Sequence, residues 1–82
     1  MPEPREVVAV ISRVLRDEVG VERAVLPEDD LQADLQLDSV GLLTLVVGLE
    51  DHFRVALAEE DAAGVRTVGD LAALVASRAQ GR

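Results

Sequence analysis

The sequence predicts an all-α domain: a small four-helix bundle of three principal helices plus one short helix, with a long loop between helices 1 and 2. Three observations carry the prediction. Apolar residues recur at the helical period in three separate stretches. No stretch alternates apolar and polar residues as a half-buried strand would. Residues that start or stop helices flank the stretches. With 82 residues the chain has room for a single domain (residues 1–82, ordered core about 5–79), because autonomous domains typically run to about 100–150 residues. A chain this short has a modest core and no space for a deep enclosed cleft beside it.

The first stretch carries Val7, Val8, Val10, Ile11, Val14, Leu15 and Val19. At about 100° per residue these fall in one half-circle, which makes an amphipathic helix over Val7 to Val19. Pro4 suits its first turn and Gly20 its stop. The segment from Val21 to Leu37 holds Pro27 and the acids Glu28, Asp29 and Asp30. A loop of that length in so small a domain is unusual and often functional, and Leu26, Leu31, Leu35 and Leu37 are expected to pin it to the core. The second helix runs from Ser39 to Phe53 with Asp38 as N-cap. Val55 and Leu57 read as an extended connection, and Glu59 to Ala63 as one helical turn ended by Gly64. Thr67 and Asp70 have the spacing of a capping box. They open a last helix through Ala79 with Val68, Leu71, Leu74 and Val75 facing inward.

Composition narrows the function. Cysteine is absent, so neither disulfides nor thiolate metal sites are available. Phe53 is the one aromatic residue, which removes the stacking platforms that single-stranded nucleic acid and RNA binders use. Sixteen acids against eight arginines and no lysine give a net charge of −8. Such a surface is repelled by nucleic acid and by anionic membranes and attracted to basic protein patches. No apolar run approaches the ~20 residues that span a bilayer, and residues 1–8 lack a signal-peptide pattern. A soluble, cytoplasmic protein is expected.

The second helix is the informative one. With Val40 at 0°, Leu42, Leu45, Val46, Leu49 and Phe53 lie between about 140° and 240°, an ordinary core stripe. Val40, Leu43 and Val47 lie between about 300° and 360°, and Thr44 and Asp51 at about 20–40°. An apolar arc this wide exceeds what one packing face needs. Either the helix is central, with Val40 and Val47 touching the third helix or the loop, or the two valines face a partner. Ser39 stands at the head of the same helix, where the dipole and the unpaired N–H groups favour an anion such as phosphate. Capping alone would also explain an Asp-Ser pair there.

Nucleophilic catalysis is not expected. His52, the single histidine, lies 13 residues beyond Ser39, about 20 Å along a helix, so no Ser–His pair forms within it. His52 falls on the edge of the core stripe, in the last turn where a cation is favoured. No metal site is expected either, because Asp29, Asp30, Asp34 and Asp38 lack the spacing of a calcium loop. A small acidic adaptor that binds a basic partner without any covalent group remains a rival reading.

Asp34-Leu-Gln-Leu-Asp-Ser39-Val, then Leu49-Glu-Asp-His-Phe53 and Thr67-Val-Gly-Asp-Leu71, resembles the acyl carrier protein family over essentially the whole chain, from Val7 to about Ala79. The resemblance implies a carrier and not an enzyme, with 4′-phosphopantetheine, taken from coenzyme A, on the Ser39 hydroxyl. A phosphopantetheinyl transferase using Mg²⁺ would attach it, with Asp38 helping that enzyme to dock. Val40 and Val47 match the family's apolar partner-contact positions, and Leu43 and Thr44 on the same side are expected to bind partners with them. Glu50, Asp51, Glu59, Glu60 and Asp61 are the acids expected to meet basic docking patches on an acyl- or aminoacyl-loading enzyme, an acyltransferase or a ketosynthase. A monomer is expected, since the apolar strip serves transient contacts. The chain departs from fatty-acid-type members, which commonly hold a glycine where Gln36 stands and acids where Gly41 and Thr44 stand. Gln36-Leu-Asp-Ser39 also lacks the Gly-Gly-His/Asp-Ser of peptidyl carriers, whereas Asp38-Ser-Val-Gly41 is similar to some stand-alone carriers of amino acids or unusual starter acids. A discrete carrier of a specialised pathway, polyketide or amino-acid-primed, is the expectation; fatty acid synthesis or a peptidyl carrier is the alternative.

Overall fold

In a computed structural model that describes residues 2–80, the first helix, α1 (Pro4–Val14), opens with Pro4 in its first turn. Glu3 and Glu6 close a reciprocal capping box there, each holding the other's backbone N–H. The helix does not run unbroken to Val19 as its periodicity suggests. Leu15–Val19 winds into a single π-helical turn. Gly20, at φ 91°, and Val21 both donate to the Leu15 carbonyl, at 2.7 and 2.9 Å. One acceptor shared by two donors in a left-handed glycine turn widens the last coil.

The remaining α-helices among the described residues are α2 (Ser39–Phe53), α3 (Glu59–Ala63) and α4 (Val68–Gln80). Asp38 caps α2 and Gly64 follows α3, as the sequence predicts. The Thr67–Asp70 box forms in both directions. The Thr67 N–H donates to Asp70 Oδ2 and the Asp70 N–H to Thr67 Oγ1, each at 3.1 Å.

α1 packs on α4 and α2 around a core that includes Val7, Ile11, Leu15, Leu45, Leu49, Val68, Leu71 and Val75. Ala72 and Ala76 also lie in that core, where small side chains let α4 approach α1. Leu74, expected inside, is only half-buried. Leu42 and Phe53 likewise pack against the core from its edge instead of filling it, and Val46 is half-buried outside that cluster.

Leu31, Leu35 and Leu37 pin the long loop as expected, but Leu26 does not, being 47% exposed. The turn at Leu26 explains the exchange. The Asp29 N–H donates to the Leu26 carbonyl at 3.0 Å, and the Leu26 N–H donates to Asp29 Oδ2 at 2.8 Å. That geometry places the Asp29 carboxylate inward, beneath Arg23 (3.2 Å), and leaves Leu26 outside.

Candidate functional site

The long loop positions the head of α2. Three backbone bonds tie it to the start of α4: Leu31 N–H to the Arg66 carbonyl (2.9 Å), Val68 N–H to that of Asp29 (2.9 Å) and Gly69 N–H to that of Pro27 (2.7 Å). Gly69 suits this close approach, because a Cβ would sit 3.1 Å from the Pro27 carbonyl oxygen, tighter than most such contacts. Within the loop, Asp30 Oδ1 accepts from the N–H groups of Gln32 and Ala33, both at 2.8 Å, and the Asp30 N–H donates to Asp34 Oδ2 at 2.7 Å. Those two N–H groups, with help from Arg66, hold the Asp30 carboxyl below its ordinary range. Asp29, Asp30 and Asp34 are therefore committed to the chain's own backbone, whereas Glu28 is exposed.

Gln36 ends the loop in the left-handed region, at φ 57°. This is the position where the family pattern commonly has glycine, and the conformation gives the reason. Asp38 follows with extended backbone, and its Oδ1 accepts the Gly41 N–H at 2.7 Å. Ser39 is then the first residue of α2, and it is exposed. Its hydroxyl stands where the first N–H groups of a helix have no intrahelical partner.

The wide apolar arc of α2 resolves in favour of an outward strip. Val40, Leu43 and Val47 are 69%, 62% and 52% exposed, so the arrangement in which Val40 and Val47 pack on the third helix or the loop does not hold. Thr44 lies beside them with its hydroxyl donated to the Val40 carbonyl at 2.9 Å. Gly41 faces the other way. It is buried, and a Cβ would meet Asp38, Leu37 and Val19 at 3.3 to 3.6 Å. Its lack of an acid thus leaves the outer face unchanged, and only Thr44 makes that face less acidic.

The acids expected at partners separate into two groups. Asp51 and Glu60 are exposed. Glu50 instead accepts the Leu57 N–H at 2.8 Å and anchors the connection after α2, while Asp61 pairs with Arg78 at 2.7 Å. The Glu59 side chain lies outside the described residues. His52 is exposed, its Nδ1 3.1 Å from Arg13 Nη2, and its ring meets Phe53 edge-on at 4.7 Å.

A groove that sequence reasoning missed runs between α1 and α2, with a volume of about 640 Å³. Val14, Leu43, Val47 and Gly48 line it together with charged groups of both helices. Gly48 brings the helices close: a Cβ would lie 3.0 Å from Val14 Cγ1. In the sequence, a glycine in the middle of an apolar helix was the available signal.

Comparison with known proteins bears on the same region. A family model described as a phosphopantetheine attachment site matches residues 5–75. The chain is 34% identical to an acyl carrier protein of Kineococcus radiotolerans, over 99% of this chain and 100% of that one. It is 35% identical to a meromycolate extension acyl carrier protein of Mycolicibacterium aurum, over 87% of this chain and 74% of that protein. It spans 62% of the protein of that name from Mycobacterium bovis. Among solved structures, an acyl carrier protein of Thermotoga maritima superposes with a TM-score of 0.86 at 23% identity, covering 95% of this chain and 92% of its own, which speaks to the fold.

Proposed function

This chain belongs to the acyl carrier protein family, and we propose that within it Ser39 carries the prosthetic group and the Val40–Leu43–Val47 strip receives the enzymes that act on it. Like the family, the chain is a carrier and not an enzyme, with covalently attached 4′-phosphopantetheine; the rival reading of an adaptor without a covalent group falls with that. The family works with phosphopantetheinyl transferases and acyl-handling enzymes.

The single observation that carries the proposal is an exposed serine opening α2 beside an uncovered apolar strip. Ser39 fits a phosphodiester: its hydroxyl faces water, and the helix start disperses the negative charge of the ester. When bound, the group supplies a terminal thiol that holds cargo as a thioester. Asp38 keeps the helix start in place by holding the Gly41 N–H, and its exposed carboxylate is available to the incoming transferase. Val40, Leu43 and Val47 offer partners apolar contact. Asp51 and Glu60, the exposed acids of the expected set, supply charge that steers basic patches toward the strip. Asp61, paired with Arg78, adds little to that steering, whereas Glu50 holds the neutral Leu57 N–H and keeps its charge. The protein acts as a monomer in solution.

For the cargo, Thr44 in place of an acid, with Gln36 in place of a glycine, supports a dedicated pathway, polyketide or amino-acid-primed, over housekeeping fatty acid synthesis. The similarity to proteins named for meromycolate extension supports a second reading, in which the cargo is a long acyl chain. Substituting Val40→Asp or Val47→Asp should slow modification by a broad-specificity transferase about tenfold, equivalent to ~1.4 kcal/mol of lost contact, with the helical CD spectrum unchanged. Rates equal to wild type would place the partner surface elsewhere.

A further inference from the structure

We propose that Arg23 is a positioning residue for attachment of the prosthetic group: its guanidinium clasps two parts of the long loop together and so presents Ser39 to the transferase. The inference rests on Ser39 being the attachment residue. Asp29 is the one buried charged side chain among the described residues, and a buried carboxylate is costly unless it is paired and hydrogen-bonded. Both of its oxygens are engaged. Oδ2 accepts the Leu26 N–H at 2.8 Å, and Oδ1 accepts from Arg23 Nη2 at 3.2 Å. A plain ion pair would explain that much. The second bond of Arg23 goes further: Nη1 of the same guanidinium donates to the Asp34 carbonyl at 3.2 Å. One planar fork thus holds Asp29 and Asp34 together, a geometry that an ammonium does not reproduce.

Asp34 lies five residues before Ser39, and the chain between them has little freedom. The Asp34 and Leu35 N–H groups both donate to the Asp30 carbonyl at 3.0 Å, and the Leu37 N–H donates to the Leu31 carbonyl at 3.0 Å. These bonds make a knot of residues 30–37. Leu31, Leu35 and Leu37 seat the knot on the core, but apolar contact is non-directional, so its orientation comes from polar ties to either side. Toward α4, the Leu31 N–H donates to the Arg66 carbonyl at 2.9 Å. Toward α1, the tie is Arg23, which stands just after the Gly20 turn. Asp29 anchors that second tie, because its own carbonyl accepts the Val68 N–H at 2.9 Å. Arg23 therefore couples the chain after α1, the start of α4 and the approach to Ser39.

The reaction needs Ser39 held in one place for a second protein. When the loop is held only part of the time, apparent affinity falls with the fraction of chains that are held, while those that do bind turn over normally. Loss of Arg23 thus raises KM for the carrier and leaves kcat alone. Net charge acts in the opposite sense. Removing an arginine makes the chain more acidic and draws a basic enzyme more strongly, so a raised KM does not come from steering.

The test uses the full chain as the varied substrate of a broad-specificity phosphopantetheinyl transferase, with Mg²⁺ and saturating coenzyme A. Fragment sequencing of the modified wild type comes first; no arm, or an arm on another residue, would refute the Ser39 assignment and the role of Arg23 with it. Arg23→Ala is expected to raise KM about fivefold or more with kcat within about twofold. That variant also leaves Asp29 buried without its cation, so Arg23→Ala/Asp29→Asn separates burial from positioning. The double variant should recover the wild-type thermal midpoint and keep the raised KM. Its hydrogen exchange should quicken at the Asp34, Leu35 and Leu37 amides and stay at the wild-type rate in α1. Arg23→Lys, which keeps the charge and loses the fork, should also keep a raised KM. Arg5→Gln, at an exposed arginine 3.8 Å from Glu3, should not raise it. An unchanged KM in folded Arg23→Ala, or a KM that returns to wild type in the double variant or in Arg23→Lys, would overturn the clasp while leaving the Ser39 assignment standing.

Discussion

At the scale of single residues, two backbone positions separate conformational cost from packing. Gly20 sits at φ 91° with nothing within 4 Å of the place a Cβ would take. Gly20→Ala is therefore expected to cost about 1 kcal/mol for backbone reasons alone, read as a lower urea midpoint; an unchanged midpoint would contradict the left-handed cap. Gln36 is the converse, a side chain held at φ 57° one step before the Leu37-Asp38-Ser39 entry to α2. Nothing in the sequence required that conformation; the departure from the family's glycine was visible and its backbone meaning was not. Asp29 was equally opaque. It read as one member of an acidic surface run, and only the turn at Leu26 shows that it is inward and hydrogen-bonded.

At the scale of elements, α2 presents two faces of similar composition and different consequence. Leu45 is fully buried and Val47 is half exposed. Leu45→Ala should cost about 2–5 kcal/mol, and Val47→Ala under about 0.5 kcal/mol, by chemical denaturation. Comparable losses would mean that the outward strip is packed. The start of α4 adds a pH dependence. The Thr67 and Arg66 N–H groups hold the Asp70 carboxylate below its ordinary range. A lowered folded-state pKa stabilises the protein above the unfolded value, near pH 4, and the contribution is lost as pH falls through the lower folded value. The stability gap between wild type and Asp70→Asn should thus be complete at neutral pH and close below about pH 4; a gap constant with pH would exclude the carboxylate charge as its cause. Helix starts and stops were legible because capping is local: Asp38, Gly64 and the Thr67–Asp70 box lie where the sequence predicts. The π turn after α1 and the outward Leu26 were not, since both depend on which backbone groups the folded chain brings together.

For the whole molecule, charge and surface act together. A net charge of −8 on 82 residues makes self-repulsion a term in stability, so added salt should raise the thermal midpoint while slowing association with basic partner enzymes. Opposite responses of the two quantities are expected, and a salt-independent association rate would remove the acids from steering. The bundle could be anticipated from periodicity, which left the outward strip as one of two readings until the exposure of Val40 and Val47 decided it, whereas the groove beside it required the approach of α1 and α2 at Gly48. The most direct test of Ser39 as the attachment residue is the intact mass of wild type and Ser39→Ala after incubation with coenzyme A, Mg²⁺ and a broad-specificity phosphopantetheinyl transferase, with fragment sequencing of any modified peptide. One phosphopantetheine increment, mapped to Ser39 and absent from the folded variant, is predicted; no increment on the folded wild-type chain, or one that persists in Ser39→Ala, would contradict it.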